Sequence, residues 1–326
     1  MKDISVIGAG RWGTFLAWYA STYCHARSVR LYGRAASEDF ARLRQTRGNE
    51  YLSLGAEVEL TDDLGRALES EIVIVSVGCQ SLRGLAKELN SHDIRGRIFL
   101  LAIKGLETPS AKTPSQIFAE EAGRDARLAV LLGPGHVQDY IRGVPSCAVI
   151  DAPDAETKRE LAESLSSPLI RFYYGEDFIG NQAGAALKNV VGIAAGILDG
   201  LGWQGLKGGL MVRAPLEVGR LIRHFGGQAR SAYGLAHLGD YEATLFSEHS
   251  HNRKFGEMFA RGEKFGKLAE GYHTLAAVKA ISDSAGIDMP IARALYRSIY
   301  EGVEARAEIG ELFKREPKSE FGGNMA

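Results

Sequence analysis

Residues 4–13 read ISVIGAGRWG, and this stretch decides the fold of the first half of the chain. A β-branched apolar run at residues 4–7 predicts a strand, and a G-x-G-x-x-G pattern follows it at Gly8, Gly10 and Gly13. Glycine at the first two positions lets the backbone turn and approach a pyrophosphate, while the third lets the next helix pack closely on the strand. We therefore predict a dinucleotide-binding loop at a helix N-terminus, with a tight turn that binds no ligand as the alternative.

Further apolar runs of strand length follow this loop and alternate with stretches of helical periodicity. The runs lie at residues 29–32, 58–61, 72–77, 98–102, 128–132, 147–150 and 170–173. Helical patterns occur between several of them, at residues 12–21, 82–89 and 156–165. This alternation predicts an α/β domain over residues 1–174: a Rossmann-type doubly wound sheet, largely parallel, with helices on both faces.

After residue 175 the strand patterns stop, and the remaining periodicity is helical. Helices are predicted at residues 179–198, 210–224, 253–261, 275–284 and 290–305. The sequence therefore predicts an all-α C-terminal domain over residues 175–313. Residues 314–326 are charged and then glycine-rich, which is typical of a frayed tail.

Composition excludes several classes of protein. The 326 residues carry 39 Lys and Arg against 40 Asp and Glu, a formal charge of −1, which argues against nucleic-acid and acidic-membrane partners. No run of about 18 apolar residues occurs and no leader is evident, so we expect no membrane insertion and a cytoplasmic location. Neither a disulfide framework nor a metal site is expected, because Cys24, Cys79 and Cys147 lack C-x-x-C spacing and His249 and His251 have no third ligand nearby.

The residues after the second predicted strand indicate which dinucleotide binds. NAD is usually held by an acidic residue there, through a ribose hydroxyl. Here residues 33–36 read GRAA, and the first acids, Glu38 and Asp39, come later. Arg34 can instead pair with a 2′-phosphate. NADP(H) is therefore favoured, with NAD(H) as the second option; the alternative is that Arg34 is only a solvated surface residue.

Two more segments follow predicted strands at the edge where ligands of such sheets bind. Lys104 comes directly after the strand at 98–102, and Gly133 and Gly135 follow the strand at 128–132. Because ligands lie outside the carboxyl ends of the strands, Lys104 is expected to point towards the cofactor, and the glycines could expose N–H groups to an anion or to the nicotinamide. Either segment could equally be only a turn.

The predicted helix at 179–198 carries a single lysine, Lys188, among nearly uncharged residues. Gly184, Lys188 and Gly192 share one face of it, with Asn189 beside them. A buried ammonium group needs an anion, a polar ligand or a carboxylate, and Asp240 is the natural counter-charge. Lys188 is therefore a candidate proton donor and acceptor, with a structural salt bridge as the alternative.

In this order, the motifs resemble those of the NAD(P)-dependent glycerol-3-phosphate dehydrogenase family. They are GAGRWGT from residue 8, KGLE from 104, AALKNVVGIAAGILDGLG from 185, GLAHLGD from 234, SHNRKFG from 250 and AEGY from 269. The resemblance implies hydride transfer between a nicotinamide and C2 of dihydroxyacetone phosphate or sn-glycerol 3-phosphate, which would supply glycerophospholipid synthesis. A homodimer is the common assembly for this architecture.

The resemblance also implies roles for individual residues. Lys188 would donate and accept the proton, while Lys104 and Asp240 would line the reacting centre. The implied substrate contacts are Lys104, Gly133, Gly135, Lys188, Asn189, Asp240, Ser250, His251 and Asn252. The implied cofactor contacts are Gly8, Gly10, Arg11, Trp12, Gly13, Arg34, Lys104, Val137, His251, Leu268 and Glu270.

The chain departs from the family pattern at residues that would meet the substrate. Gly135 stands where the family loop S-G-P-[ST]-F-A has a hydroxyl, and His251 replaces the arginine of S-R-N. The second change exchanges a permanent guanidinium for an imidazole that is mostly neutral at pH 7. The V-P-S loop after the fourth strand reads VGC at residues 77–79, and one residue is missing near 203–207. His136 and Arg253 are the candidates to compensate.

These departures leave two alternatives open. One is a dehydrogenase of the same mechanism that acts on another small hydroxy or keto compound. The other is a nucleotide-binding regulator without catalytic activity. Retention of Lys104, Lys188 and Asp240 argues against the regulator, because a pure sensor has no need of a buried lysine facing the nicotinamide.

Overall fold

The computed structural model describes residues 1–123, 126–247, 250–267, 269–317 and 319–320, and the side chains of all of these except residues 242 and 243. The chain forms two compact units. The first consists of Met1–Lys104 and Lys112–Phe178, and the second of Gly105–Ala111 and the chain from Ile179 onward. The boundary predicted after residue 174 lies near the second junction, whereas no sequence pattern indicated that Gly105–Ala111 belongs with the later residues.

The first unit is built on one sheet of eight strands, in the order β3-β2-β1-β4-β5-β6-β7-β8. The strands are β1 (Asp3–Ile7), β2 (Ser28–Tyr32), β3 (Val58–Thr61), β4 (Ile72–Val75), β5 (Ile98–Leu101), β6 (Arg127–Leu132), β7 (Ser146–Asp151) and β8 (Ile170–Tyr174). All neighbours are parallel except β6 and β7. Both the predicted doubly wound α/β class and its largely parallel sheet are confirmed. Since strand order reverses between β1 and β4, the ligand crevice of such a sheet is expected there.

Helices of the first unit connect these strands. They are α1 (Arg11–Thr22), α2 (Glu38–Thr46), α3 (Leu64–Ala67), α4 (Cys79–Leu89), α5 (Pro114–Glu121), α6 (Val137–Ile141) and α7 (Ala155–Leu165). Side chains start two of them: Ser37 accepts a hydrogen bond from the N–H of Phe40, and Asp154 accepts one from the N–H of Thr157. Helix α1 is buried through Phe15, Leu16 and Tyr19 in the main apolar core of the unit.

Every regular element of the second unit, within its described residues, is a helix. It contains α8 (Phe178–Gly200), α9 (Lys207–His224), α10 (Asp240–Leu245), α11 (His251–Ala260), α12 (Glu270–Ala285), α13 (Pro290–Glu301), α14 (Ala305–Phe313), 3-10 helices at Gln204–Leu206 and Ala229–Tyr233, and a π-helix at Leu235–Gly239. This confirms the predicted all-α character. The predicted helix at 290–305 is wrong in its extent: it ends at Glu301 because Gly302 adopts a left-handed conformation, φ 73°.

Close packing of α8 against α11 and α12 depends on glycine. A Cβ on Gly196 would overlap the carbonyl of Arg253, and one on Gly256 would overlap the carbonyl of Ile193. At the start of α12, a Cβ on Gly271 would lie 2.6 Å from the carbonyl oxygen of Asn189. The helix backbones therefore approach one another directly, which fixes the residues at the beginning of α11 and α12 beside the middle of α8.

Candidate active site

The dinucleotide-type loop has the geometry that its glycines predict. Gly8 has φ 116°, and a Cβ there would overlap the carbonyl of Ser76 in the loop after β4. A Cβ on Gly13 would overlap the carbonyl of Gly8, so this residue sets how closely α1 packs on β1. Gly10 caps α1 and has no atom within 4 Å of the place of its missing Cβ. Two of the glycines therefore serve packing, while Gly10 leaves open space at a helix N-terminus.

A cavity of about 410 Å³ lies beside this loop, at the carboxyl ends of β1, β2 and β4. Its lining includes Gly8, Arg34, Ser37, Val77 and Ser81. Arg34 is exposed and follows β2 at the position where the sequence predicted a contact with a 2′-phosphate. The loop and the cavity fit a bound dinucleotide. The missing side chain of Gly10 leaves open space at the N-terminus of α1, where a pyrophosphate would bind.

The sequence patterns missed Tyr51, which lies beside Arg11 of the dinucleotide loop. The guanidinium of Arg11 lies over the ring of Tyr51, 5.7 Å from the ring centroid. Tyr51 is held in a turn in which the Asn49 side chain accepts hydrogen bonds from the N–H groups of Tyr51 and Leu52, at 2.9 and 3.0 Å. An aromatic residue in an irregular turn carries no periodic signal, so only the fold could place it beside the loop.

Lys104 meets the 133–135 loop, as expected for residues that follow neighbouring parallel strands. The Lys104 ammonium donates a hydrogen bond of 2.9 Å to the carbonyl of Gly133. Gly133 and Gly135 have φ of 132° and 141°, conformations that favour glycine. Val137 begins α6 with its side chain buried in the core, so a cofactor contact there would have to involve its backbone.

The second unit pairs Lys188 with Asp240. Nζ of Lys188 lies 3.0 Å from Oδ1 of Asp240, and the two side chains are 13% and 5% exposed. Thr244, which the sequence reasoning missed, lies 3.4 Å from the same Nζ and donates a hydrogen bond of 2.9 Å to the Asp240 carbonyl. The largely buried Lys188 ammonium thus has the carboxylate of Asp240 and the hydroxyl of Thr244 as neighbours, an arrangement that suits both proton transfer and a structural salt bridge.

A buried histidine supports this pair from the π-helix. His237 is fully buried, and its Nδ1 lies 2.8 Å from the carbonyl of Gly184, one turn before Lys188 on α8. Burial lowers the pKa of His237 to about 4, so the ring is neutral at pH 7 and Nδ1–H donates to the carbonyl. A Cβ on Gly184 would lie 3.0 Å from Cβ of His237, which gives this glycine a packing role. Sequence reasoning did not identify His237.

The implied substrate contacts Ser250, His251 and Asn252 are already engaged in protein contacts. Ser250 caps α11 by accepting a hydrogen bond from the N–H of Arg253. Asn252 donates to the side chain of Asn189 and accepts from the N–H of Gly271, both at 2.9 Å. It therefore ties α8, α11 and α12 together. His251 is the first residue of α11, and Phe265 lies against its ring.

Arg253, one of the two residues expected to compensate for the family arginine, is committed elsewhere. Its guanidinium lies 2.7 Å from Oδ2 of Asp199 and donates a hydrogen bond of 2.8 Å to the carbonyl of Ser247. Lys207 pairs with the same Asp199 at 2.7 Å. Because this buried network engages the guanidinium of Arg253, that side chain serves the protein's own structure. The other compensating candidate, His136, occupies the N-cap position of α6.

The remaining candidates are only partly placed. Glu270 begins α12, and its carbonyl accepts a hydrogen bond from Thr274. Leu268 and His249 lie outside the described residues. Within the ranges that the structure describes, no three His, Cys, Asp or Glu side chains converge in a way that could hold a metal ion. No helix in those ranges combines the length and the apolar character needed to cross a bilayer.

Known proteins resemble this chain over nearly its whole length. Family models described as the NAD-dependent glycerol-3-phosphate dehydrogenase N-terminus and C-terminus match residues 3–158 and 177–309. The glycerol-3-phosphate dehydrogenase [NAD(P)+] of Chlorobium luteolum is 33% identical over 97% of this chain and 99% of its own. That of Thiobacillus denitrificans is 34% identical over 98% and 99%. The crystal structure of glycerol-3-phosphate dehydrogenase from Coxiella burnetii has a TM-score of 0.88 at 26% identity, over 96% of this chain and 99% of its own.

Proposed function

This chain belongs to the NAD-dependent glycerol-3-phosphate dehydrogenase family, and from that premise we propose that it reduces dihydroxyacetone phosphate to sn-glycerol 3-phosphate with NADPH, supplying glycerophospholipid synthesis. It is an oxidoreductase of an NAD(P)-dependent family. The observation that carries the proposal is the buried Lys188–Asp240 pair, which gives the second unit a proton donor of the kind that ketone reduction requires. A cytoplasmic location and a homodimer belong to the same proposal.

The proposed chemistry divides between the two units. The Gly8–Gly13 loop of the first unit would hold the dinucleotide, which when bound would supply a hydride to the C2 carbonyl. The second unit supplies the proton: the Lys188 ammonium stabilises the negative charge that develops on the C2 oxygen and then protonates it. Asp240 keeps that ammonium oriented from 3.0 Å away, and Thr244 holds the backbone of Asp240. The neutral ring of His237 adds no positive charge beside Lys188.

One departure from the family sequence pattern favours a second candidate function. His251 stands in place of the family arginine, and Arg253 is held by Asp199, so a bidentate guanidinium for the substrate phosphate is not evident at this position. A small keto compound without a phosphate is therefore the second candidate, with the same hydride and proton transfers. Membership of an oxidoreductase family argues against the third alternative, a regulator without catalysis.

An assay of dinucleotide oxidation separates these candidates. We expect saturable oxidation of NADPH with dihydroxyacetone phosphate, and much slower turnover with dihydroxyacetone and other unphosphorylated ketones. The measurement is the initial rate of absorbance loss at saturating NADPH, repeated with NADH. Turnover with unphosphorylated ketones only would reject the proposed substrate and favour the second candidate, while nucleotide binding without any turnover would favour the regulator.

The choice of dinucleotide can be tested at Arg34. Changing Arg34 to Ala should weaken NADPH binding roughly 10- to 100-fold, because a charge-assisted contact to the 2′-phosphate is lost, and should change NADH binding little. Dissociation constants from fluorescence titration measure both effects. Arg44→Ala is the matched control, since Arg44 is an exposed arginine of the same unit that pairs with Asp62 on the protein surface. Equal losses for NADPH and NADH would contradict the 2′-phosphate assignment.

A further inference from the structure

Tyr140 lies where a side chain at residue 135 would begin, at the position where the family pattern has a hydroxyl residue and this chain has Gly135. Gly135 has φ 141°, and a Cβ built on it would overlap the hydroxyl and the ring of Tyr140. The volume beside the loop that a serine or threonine side chain would occupy is therefore filled by a side chain from α6. The Tyr140 hydroxyl therefore lies beside the 133–135 loop, where a side chain at residue 135 would begin.

Tyr140 is fixed in this position. Its side chain is among the largest fully buried ones of the chain, and the residue is 1% exposed. The hydroxyl donates a hydrogen bond of 3.0 Å to the carbonyl of Pro134, the central residue of the loop. The ring stacks on Phe15 of α1 with the centroids 4.9 Å apart and the planes 22° from parallel. A side chain held at both ends cannot swing aside to admit a Cβ at residue 135.

The same ring also reaches the dinucleotide loop. Trp12, the second residue of α1, stacks on Phe15 at 4.9 Å, and its ring lies 6.2 Å from that of Tyr140. Trp12 lies within the glycine pattern between Gly10 and Gly13. One aromatic cluster of Trp12, Phe15 and Tyr140 therefore connects the loop after β6 with the loop after β1.

We propose that Tyr140 is the positioning residue of this chain for dinucleotide binding: it acts through the Pro134 carbonyl and through Trp12, and it makes glycine obligatory at residue 135. The proposal rests on the proposed function only in that the first unit binds a dinucleotide. A hydroxyl bonded to Pro134 fixes the direction of the loop, and the ring, which stacks on Phe15, limits where Trp12 can lie, because Trp12 stacks on the same Phe15. Both effects arrange the binding surface before the ligand arrives, which lowers the entropy cost of binding.

The first test removes only the hydroxyl. Tyr140→Phe should raise the dissociation constant for NADPH roughly five-fold, because the loop loses its hydrogen bond at Pro134 while the stacking remains. Tyr19→Phe is the matched control: Tyr19 is also buried, stacks on Phe15 and donates its hydroxyl to a backbone carbonyl, that of Leu165. Dissociation constants and unfolding temperatures are measured for both variants. If both variants weaken NADPH equally, or neither does, Tyr140 has only a structural role and the proposal is overturned.

A second test examines whether residues 135 and 140 compete for the same volume. Gly135→Ser should raise the dissociation constant for NADPH at least about ten-fold in the natural chain, but much less in a Tyr140→Leu background, where the ring and hydroxyl are gone. The backbone strain at residue 135 is the same in both backgrounds, so it cancels in the comparison. Equal effects in the two backgrounds would overturn the proposal. These NADPH binding measurements contain no ketone. A failure of the enzyme to turn over dihydroxyacetone phosphate would therefore reject the proposed substrate and leave the role of Tyr140 in NADPH binding unaffected.

Discussion

Replacing Lys188 by Met should lower the turnover number about 1,000-fold while the dissociation constant for NADPH stays within about two-fold of the natural value. Methionine keeps much of the length and volume of the side chain but cannot stabilise or protonate an alkoxide. The dinucleotide loop and its cavity lie in the other unit, so the loss should fall on the chemical step. Single-turnover rates with NADPH and dihydroxyacetone phosphate measure it directly.

The chain contains a matched control for this change. Lys207 forms another buried lysine pair of the second unit, with Asp199 at 2.7 Å against 3.0 Å for Lys188 and Asp240. Lys207→Met should lower stability, because Asp199 keeps only Arg253 as a counter-charge, yet turnover per folded molecule should remain close to that of the natural chain. Similar turnover in the Lys188→Met and Lys207→Met variants would show that Lys188 is only a structural salt bridge.

Gly10 and Gly13 should respond to alanine in opposite ways, although both belong to one motif. Gly13→Ala should destabilise the first unit by about 3 kcal/mol or more, because its Cβ would overlap the carbonyl of Gly8 and backbone cannot move cheaply. Gly10→Ala should leave stability almost unchanged, since no atom lies within 4 Å and φ is −74°. It should instead weaken NADPH binding at least about ten-fold, because the methyl group would occupy the space required by the pyrophosphate.

Thermal unfolding without nucleotide and NADPH titration distinguish the two outcomes. Gly84→Ala is the appropriate control: Gly84 lies on α4 in the same unit, is exposed and also has no atom within 4 Å of its missing Cβ. This variant should bind NADPH normally and be slightly more stable, because alanine favours a helix over glycine by about 1 kcal/mol. Normal NADPH binding by Gly10→Ala would mean that the open space is not where the pyrophosphate lies.

Sequence patterns predicted the features of this chain that depend on local chemistry. The eight strands and the glycine loop follow from short-range periodicity, and Lys188 is conspicuous because it is the one charged residue between residues 179 and 198. The break at Gly302 was also present in the sequence as a glycine inside a helical pattern, but periodicity on both sides of it concealed the end of α13.

The missed residues have their roles only through tertiary contacts. Tyr140 and Tyr51 are important because of what they approach, the 133–135 loop and Arg11, and neither lies in a pattern that indicates binding. In the sequence, His237 is one polar residue in a short segment without a clear pattern. In the structure it is buried against Gly184. Arg253 shows the converse: its place beside Ser250 and Asn252 suggested a phosphate ligand, whereas the fold gives it Asp199. Composition and spacing cannot identify partners that are distant along the chain.

The short segment Gly105–Ala111 limits where this chain can be cut into separately encoded parts. It belongs to the second unit although it is encoded within the first, and Leu106 and Ala111 contribute to the apolar core of that later unit. A fragment beginning at residue 175 therefore lacks part of the apolar core of the second unit. A fragment ending at residue 174 contains Leu106 and Ala111 without the core that buries them. A single recombination event near residue 175 would therefore separate Leu106 and Ala111 from the apolar core in which they are buried.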